Sequence, residues 1–274
     1  MDQDREDSAR IPAIDVHGHF GTYCRAEAAA LDATFMSATA AVVASRARRA
    51  GIQTTIVSPL SGLLPRGRAN AVAANLEAAQ AVAAAPGLRQ WVVVHPAQPE
   101  TLAQARRLAG QPRVAGLKIH PEEHGYAIAR EGARLFALAA ELGAVVLAHS
   151  GEEHSLPADF VPLANQFPDV KLILGHLGNG TTPDLQVRAI LAARHGNLYT
   201  DTSSARSLTP GLIEWAVREV GAARILFGTD TPLYFAAAQR ARIDQADLGL
   251  QERRCILRDN ALALLPALTR QPGE

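Results

Sequence analysis

The chain of 274 residues has the length of one large domain, and its 27 basic and 27 acidic residues cancel. A chain without net charge creates no overall field that attracts nucleic acid or an anionic membrane, so we expect neither as a partner. Two distant cysteines exclude a cysteine-rich zinc module, and no apolar run approaches the ~20 residues that span a bilayer. The sequence therefore predicts a cytoplasmic, reduced protein with a small-molecule substrate, and it leaves open whether the chain forms a homodimer.

Short apolar runs alternate with longer segments rich in Ala, Leu and Arg. After a mixed-charge segment at 1–10, which we expect to be a flexible tail, the apolar runs lie at 11–16, 52–58, 90–94, 114–119, 144–148, 170–175, 197–201 and 224–228. Segments of helical character lie at 36–50, 70–85, 99–109, 130–142, 158–166, 183–194 and 210–220, with a last helix at 251–265.

Strands that are apolar on both faces and separated by helices form parallel sheets. Eight such units predict an α/β fold, a (β/α)8 TIM barrel, as a single domain over 11–268. A doubly wound open sheet is the alternative, although no GxGxxG turn follows a predicted strand.

Polar residues concentrate where these predicted strands end. In chain order they are Asp15, His17, His19, Ser58, His95, Lys118, His120, His149, His176, Asp201 and Asp230. The C-terminal strand ends of such barrels carry the active site, so these side chains are expected at one mouth. Side chains alternate along a strand, which predicts that Leu172, Leu174 and His176 share the inward face.

Two of these histidines stand two residues apart in the stretch IDVHGHFG and project to the same side of an extended segment. His17 and His19 can therefore bind one metal ion, to which His149 adds a nitrogen and Asp230 an oxygen. Three imidazoles and one carboxylate suit zinc, with manganese or iron as alternatives. Zinc lowers the pKa of a water that it binds to about 7, and Asp230 would act as the acid and base. His176, which this set does not need as a ligand, could stabilise an oxyanion.

Six motifs of the chain resemble the amidohydrolase superfamily of metal-dependent hydrolases, in particular the compact branch that contains aminocarboxymuconate-semialdehyde-type decarboxylases. They are DVHGHFG, GLKIHP, LAHSG, LILGHLG, FGTDTP and ILRDNALALL, and they span positions 15 to 265. The resemblance implies metal binding by His17, His19, His149 and Asp230, with His176 as a catalytic histidine. It also implies a hydrolase or lyase that acts on a small carbonyl compound.

The lysine of the fourth strand separates two versions of this resemblance. In binuclear members of the superfamily such a lysine is carboxylated and bridges two metals, and His149 and His176 would here bind the second ion. In the compact branch one metal is usual, and Lys118 and His120 would lie beside the substrate. We expect one metal, because GLKIHP resembles the compact branch.

Several functions are compatible with this site. The leading hypothesis is hydrolysis of a small amide, ester or lactone, and the second is non-oxidative decarboxylation of a small unsaturated or aromatic acid on the same metal scaffold. A Schiff-base lyase with Lys118 as nucleophile would leave the histidine pair without a purpose. A non-catalytic metal-binding barrel would need a missing ligand, and none is missing. Arg206 or Arg25 could bind a substrate carboxylate, and Asp201 is expected to support the loop after the seventh strand.

Overall fold

The computed structural model describes residues 2–269 and folds them around one eight-stranded parallel sheet. The strands are β1 (Ala13–Phe20), β2 (Ile52–Pro59), β3 (Leu88–Val93), β4 (Val114–Ile119), β5 (Val146–Ala148), β6 (Leu172–Leu174), β7 (Leu198–Asp201) and β8 (Ile225–Leu226). Each strand pairs with the next one in chain order. Backbone hydrogen bonds from Val16 to Phe227 (2.9 Å) and from Asp230 to His17 (2.7 Å) join the last strand region to the first. The sheet thus closes into a barrel, and the predicted (β/α)8 fold is confirmed.

Helices connect the strands on the outside of this barrel. Within the described residues they are α1 (Asp2–Ala9), α2 (Ala30–Phe35), α3 (Ala40–Arg49), α4 (Ala71–Ala84), α5 (Pro99–Leu108), α6 (Pro121–His124), α7 (Ile128–Leu142), α8 (Pro157–Gln166), α9 (Leu185–Ala192), α10 (Leu212–Val220), α11 (Ala236–Asp244), α12 (Leu250–Arg254) and α13 (Asn260–Leu264). A π-helical turn at Cys255–Asp259 joins α12 to α13, and together they form the predicted last helix. Over residues 2–269, no helix is both long enough and apolar enough to cross a membrane.

The sequence predicts neither α2 nor α6 nor α11. Helix α2 buries none of its residues, so no apolar stripe marks it in the sequence. Helix α6 has only four residues, which is about one turn and too short for a periodic signal. Helix α6 lies between β4 and β5 and contributes Glu123 to the barrel mouth.

Apolar side chains fill both sides of the barrel wall. The inner cluster contains Ile14, Val16, Ile56, Trp91, Leu147, Ile173 and Leu226, together with Ala261 and Leu265 from the C-terminal region. The outer cluster packs Leu117 and Ile119 of β4 on residues such as Phe136 of α7. Because the interior is filled in this way, the polar side chains gather at the C-terminal ends of the strands.

The residues of strand β6 alternate, but the inward and outward faces are opposite to the prediction. Leu172 and Leu174 lie in the outer cluster, whereas Ile173 belongs to the inner one. Continued alternation would turn His176 outward, but its φ of 74° lies in the left-handed region and redirects the chain. His176 therefore lines the mouth of the barrel for a different reason from the one that the sequence suggests.

The segment expected to be a flexible tail is helical over Asp2–Ala9, while Met1 lies outside the described residues. Ser8 is buried, and its hydroxyl donates to Asp244 Oδ1 (2.8 Å). Arg240 donates to Asp244 Oδ2 (2.9 Å) and to the carbonyl of Ser8 (2.7 Å). A buried ion pair on α11 thus holds the end of α1 against the barrel, a long-range contact that local charge patterning does not reveal.

We expect Asp244→Ala to lower the free energy of unfolding by about 3 kcal/mol, because it leaves a buried arginine without its carboxylate. This loss is at the low end of the range for a broken buried ion pair, because Arg240 keeps the backbone carbonyls of Ser8, Ile11 and Gly51 as acceptors. Urea unfolding followed by circular dichroism measures the change. The exposed Asp247 provides the control, and equal effects of Asp247→Ala and Asp244→Ala would contradict the anchoring role.

Candidate active site

A cavity of about 160 Å³ opens at the C-terminal ends of the strands. One wall is polar and consists of His19, His120, His149, His176 and Asp230. The other wall is apolar and consists of Met36, Leu60, Leu63, Leu64 and Leu233. The loops around the cavity add Tyr23, Arg25, Glu123, Glu152 and Tyr234. The cavity therefore has one chemically active face and one face that suits an apolar or aromatic group.

The two histidines of β1 are held by hydrogen bonds through their Nδ1 atoms. His17 Nδ1 lies 2.8 Å from Asp201 Oδ2, and His19 Nδ1 lies 3.1 Å from the backbone carbonyl of Ser58. A carboxylate and a carbonyl only accept hydrogen bonds, so each ring carries its proton on Nδ1. This leaves Nε2 of each ring as the atom that can bind a metal ion, as in metal-binding histidines. In this structure His17 Nε2 lies 2.7 Å from Lys118 Nζ and His19 Nε2 lies 3.1 Å from Asp230 Oδ1.

Close packing at Gly175 helps to place His17. A Cβ atom at position 175 would lie 2.9 Å from Cε1 of the His17 ring, which is too close for any side chain. Burial, and after it the neighbouring Lys118, lowers the pKa of His17 to about 4. The ring is therefore neutral at physiological pH and keeps a lone pair for a ligand.

Asp230 faces the same two histidines. Its Oδ1 lies 3.1 Å from His19 Nε2 and 4.0 Å from His17 Nε2. Its φ of 56° is left-handed, and its backbone amide donates to the carbonyl of His17. Burial would raise the pKa of Asp230, but the hydrogen bond from His19 holds it below its usual range. Strained backbone at a polar cluster is typical of functional sites.

His149 and His176 form a second contact pair in the polar wall. His149 Nδ1 lies 3.0 Å from His176 Nε2. His149 Nε2 is buried without a hydrogen-bond partner among the described residues, and Glu152 Oε1 lies 3.4 Å away. Ligand atoms of His17, His19 and Asp230 lie within 4.8 Å of one another, whereas His149 stays outside that group. The structure thus brings three of the four predicted ligands together and places the fourth in the same wall.

The residues present fit a divalent metal ion. His19 Nε2 and Asp230 Oδ1 are an imidazole nitrogen and a carboxylate oxygen at 3.1 Å, so a proton or a cation must lie between them. The unpartnered Nε2 of His149 offers a further nitrogen. A second group, His17, His176 and Asp201, also has its ligand atoms close together. In that group Asp201 already accepts hydrogen bonds from the backbone amides of His176 and Ser203, which makes it a support rather than a ligand.

The three predicted substrate-binding residues occupy different environments. Lys118 is fully buried and does not line the cavity; its Nζ lies 2.7 Å from His17 Nε2, the nitrogen that would face a metal ion. Burial lowers the pKa of Lys118 to about 8, against the charges of Asp230 and Asp201. His120 lines the cavity and stacks on His149 with ring centroids 4.2 Å apart.

Arg206 lies outside this arrangement. It is exposed, and its guanidinium donates to the backbone carbonyls of Gly178 and Gly180. The structure places Arg25 in the cavity wall instead. Arg206 is therefore held by backbone carbonyls outside the cavity lining, and Arg25, the other candidate in the sequence, lines the cavity.

The sequence does not predict a cluster of ion pairs that lies at the rim of the cavity. Arg25 and Arg66 both pair with Glu123, whose side chain is only 2% exposed. Arg25 Nε is buried without a hydrogen-bond partner among the described residues. These residues come from three separate connections, those after β1, β2 and β4, and no spacing in the sequence links them. The one local signal is the stretch HPEEH, in which Pro121 starts the short helix that carries Glu123.

A family described as amidohydrolase matches residues 14–267, and no curated protein matches the chain. In fold, the chain is similar to 5-carboxyvanillate decarboxylase from Sphingomonas paucimobilis, with a TM-score of 0.72 and 15% identity over 93% of this chain and 99% of that one.

Two further solved structures have similar scores. The 2,6-dihydroxybenzoate decarboxylase from Rhizobium gives a TM-score of 0.71 at 14% identity, over 92% of this chain and 98% of that one. The dihydroxybenzoic acid decarboxylase from Polaromonas sp. JS666, with bound manganese and the inhibitor 2-nitroresorcinol, gives 0.70 at 18% identity, over 94% and 98%. At such identities the likeness concerns the fold alone. The family match, by contrast, covers nearly the whole chain, and the chain belongs to the amidohydrolase family.

Proposed function

We propose that this protein is a metal-dependent carboxy-lyase, which removes carbon dioxide from a small aromatic or unsaturated acid. The observation that carries the proposal is the two-faced cavity of about 160 Å³. A cavity of about 150 Å³ accommodates benzene, so the space suits one substituted ring. The leucine-rich wall would pack on the ring, and the histidine wall would face its oxygen substituents.

The comparisons favour decarboxylation over hydrolysis, which was the leading hypothesis from the sequence. The similar structures from Sphingomonas, Rhizobium and Polaromonas are decarboxylases of substituted benzoates. Three of the similar structures hold manganese. Transfer of this reaction to the present chain is supported by the shared barrel and by the size of the cavity.

We propose His17, His19, His149 and Asp230 as the residues that would hold one divalent metal ion, zinc or manganese. When bound, the ion would withdraw electron density from the substrate's oxygens. The chain itself supplies orientation and proton transfer. His120, stacked on His149, extends the polar wall, and Arg25 would hold an anionic substituent at the rim.

Asp230 is the group that we assign to proton transfer. Asp230 is ionised and faces the cavity, so its carboxylate can accept the proton of an acidic substituent on the substrate. It would then return that proton to the carbon that carries the carboxylate. The bond between this carbon and the carboxylate breaks, carbon dioxide leaves, and a carbon–hydrogen bond stands in its place.

Hydrolysis of a small ester, amide or lactone is the second candidate. It is favoured by the position of Asp230 beside His19, because the same carboxylate could take a proton from an attacking water. The two reactions differ in their products. The deciding experiment incubates the metal-loaded protein with hydroxybenzoates and unsaturated acids, and separately with aryl esters and lactones, while carbon dioxide and acid release are recorded.

We expect one equivalent of divalent metal per chain after purification without chelator. The variant His19→Ala removes one nitrogen of the cluster and should lose the metal on dialysis. His195→Ala serves as control, because His195 is exposed and remote from the cluster. Elemental analysis measures the metal content. Two equivalents together with carboxylated Lys118 would favour the binuclear alternative, and turnover without metal would exclude the proposed mechanism.

The variant Asp230→Asn should reduce turnover by about 10²- to 10⁴-fold, because an amide cannot carry the proton. Asparagine tolerates the left-handed backbone of this position, so the fold should persist. The rate is measured at saturating metal, with circular dichroism as the check on folding. Asp169→Asn changes an exposed aspartate and should leave the rate unchanged. Full activity of Asp230→Asn would remove this residue from the reaction.

The variant Arg25→Met should raise KM for an acid substrate by about 10- to 100-fold, with a smaller effect on kcat, because a charged hydrogen bond to the substrate is lost. Glu123 keeps Arg66 as a partner, so the fold should tolerate the change. Steady-state kinetics separates the two constants. Arg68→Met is the exposed control, and an unchanged KM for Arg25→Met would show that the substrate does not use this arginine.

A further inference from the structure

A continuous chain of hydrogen bonds crosses the polar wall from β7 to β5. Asp201, the last residue of β7, contacts Ser203 through Oδ1 and His17 Nδ1 through Oδ2, the latter at 2.8 Å. Ser203 Oγ lies 2.8 Å from His176 Nδ1, and His176 Nε2 lies 3.0 Å from His149 Nδ1. All five side chains are buried. One carboxylate is thus connected to histidines of both β1 and β5.

The direction of each hydrogen bond follows from the first one. Asp201 Oδ1 accepts from the backbone amides of His176 (3.0 Å) and Ser203 (2.9 Å), which can only donate. An ionised carboxylate has no proton to give, so the Ser203 hydroxyl donates its single proton to Asp201 Oδ1. Ser203 Oγ can then only accept from His176, which places the His176 proton on Nδ1.

The same reasoning continues along the chain. A neutral His176 with its proton on Nδ1 presents a bare Nε2, so His149 must donate to it from Nδ1. The remaining nitrogen of His149, Nε2, is then bare, and it is the atom that is buried without a hydrogen-bond partner among the described residues. At the other end, His17 donates from Nδ1 to Asp201, and its unprotonated Nε2 accepts from Lys118 Nζ at 2.7 Å.

We propose that Asp201 and Ser203 are positioning residues that fix the tautomers of His17, His176 and His149, so that Nε2 of His17 and His149 carries the lone pair that a metal ion needs. The inference rests on the metal site of the proposed function but not on the reaction. It also redefines His176. Both of its ring nitrogens are used within the chain, so it relays orientation from Ser203 to His149 instead of donating to the substrate.

The test reads the tautomers directly. In metal-free protein with ¹⁵N-labelled histidine, long-range ¹H–¹⁵N spectra distinguish a proton on Nδ1 from one on Nε2. We expect Nδ1 protonation for His17, His176 and His149 in the wild type. Ser203→Ala should release His176 and His149 into mixed tautomers, while His17 keeps its partner Asp201. Ser203→Thr retains the hydroxyl and should restore the wild-type spectrum.

Metal affinity gives a second readout. Loss of such an outer hydrogen-bond partner typically weakens metal binding 10- to 100-fold. We expect that loss for Ser203→Ala and for Asp201→Asn in a competition titration with Zn²⁺ or Mn²⁺. The control is Ser207→Ala, which removes a buried hydroxyl that bonds only the Leu177 carbonyl. This variant should keep the wild-type tautomers and affinity even where it lowers stability.

Two results would overturn the inference. One is a wild-type spectrum with a proton on Nε2 of His149 or with His176 protonated at both nitrogens, and this result needs no variant to fold. The other is a Ser203→Ala variant with wild-type tautomers and wild-type metal affinity. Absence of carbon dioxide release from a protein with the expected tautomers would instead contradict the proposed function and leave the inference standing.

Discussion

The closure between the last strand and the first is the constraint on which the site depends. The amide of Asp230 donates to the His17 carbonyl at 2.7 Å, and the amide of His19 donates to the Thr231 carbonyl at 2.6 Å. The buried carboxylate of Asp15 adds to this joint, since it accepts from the amide of His17 and from both the amide and hydroxyl of Thr229. These bonds place the carboxylate of β8 opposite the histidine pair of β1. Without them the polar wall would separate into two halves.

Burial gives the polar wall its chemical character. Burial lowers the pKa of His17, His120 and His176, so these imidazoles are neutral and keep lone pairs. The carboxylates of Asp201 and Asp230 remain ionised, since burial raises the pKa of each but hydrogen bonds from His17 and Ser203 to Asp201 and from His19 to Asp230 hold it below its usual range. The result is a buried set of nitrogen and oxygen donors with an excess of negative charge, which favours a divalent cation.

Selection of the substrate depends on loops more than on the barrel. The apolar wall comes mainly from the segment after β2, where Leu60, Leu63 and Leu64 are buried. The rim arginine Arg25 comes from the loop after β1, and Glu123 fixes it from the loop after β4. A rigid polar wall combined with separate loops is the usual way in which barrels vary their substrates. The narrow, one-ring cavity follows from how these loops pack together.

Much of the fold could be read from the sequence because its signals are local. Alternating apolar runs and helical segments are properties of short stretches, and every predicted strand has a counterpart in the structure. Histidines and aspartates at strand ends pointed to the barrel mouth for the same reason. Where the signal was weak, as in the four-residue α6, or where no apolar stripe existed, as in α2, the sequence predicted nothing.

What the sequence by itself determined is the barrel, its active end and the candidate ligands, because periodicity and residue type specify those. Only the tertiary structure decided how they meet. Arg25 lines the cavity and Arg206 does not, because which arginine reaches the cavity depends on the paths of the loops and not on residue type. The tertiary structure turned His176 inward through a left-handed backbone that strand alternation does not foresee. It also joined Asp201 and Ser203 to histidines of three other strands, since hydrogen bonds between strand ends form only once the barrel has closed.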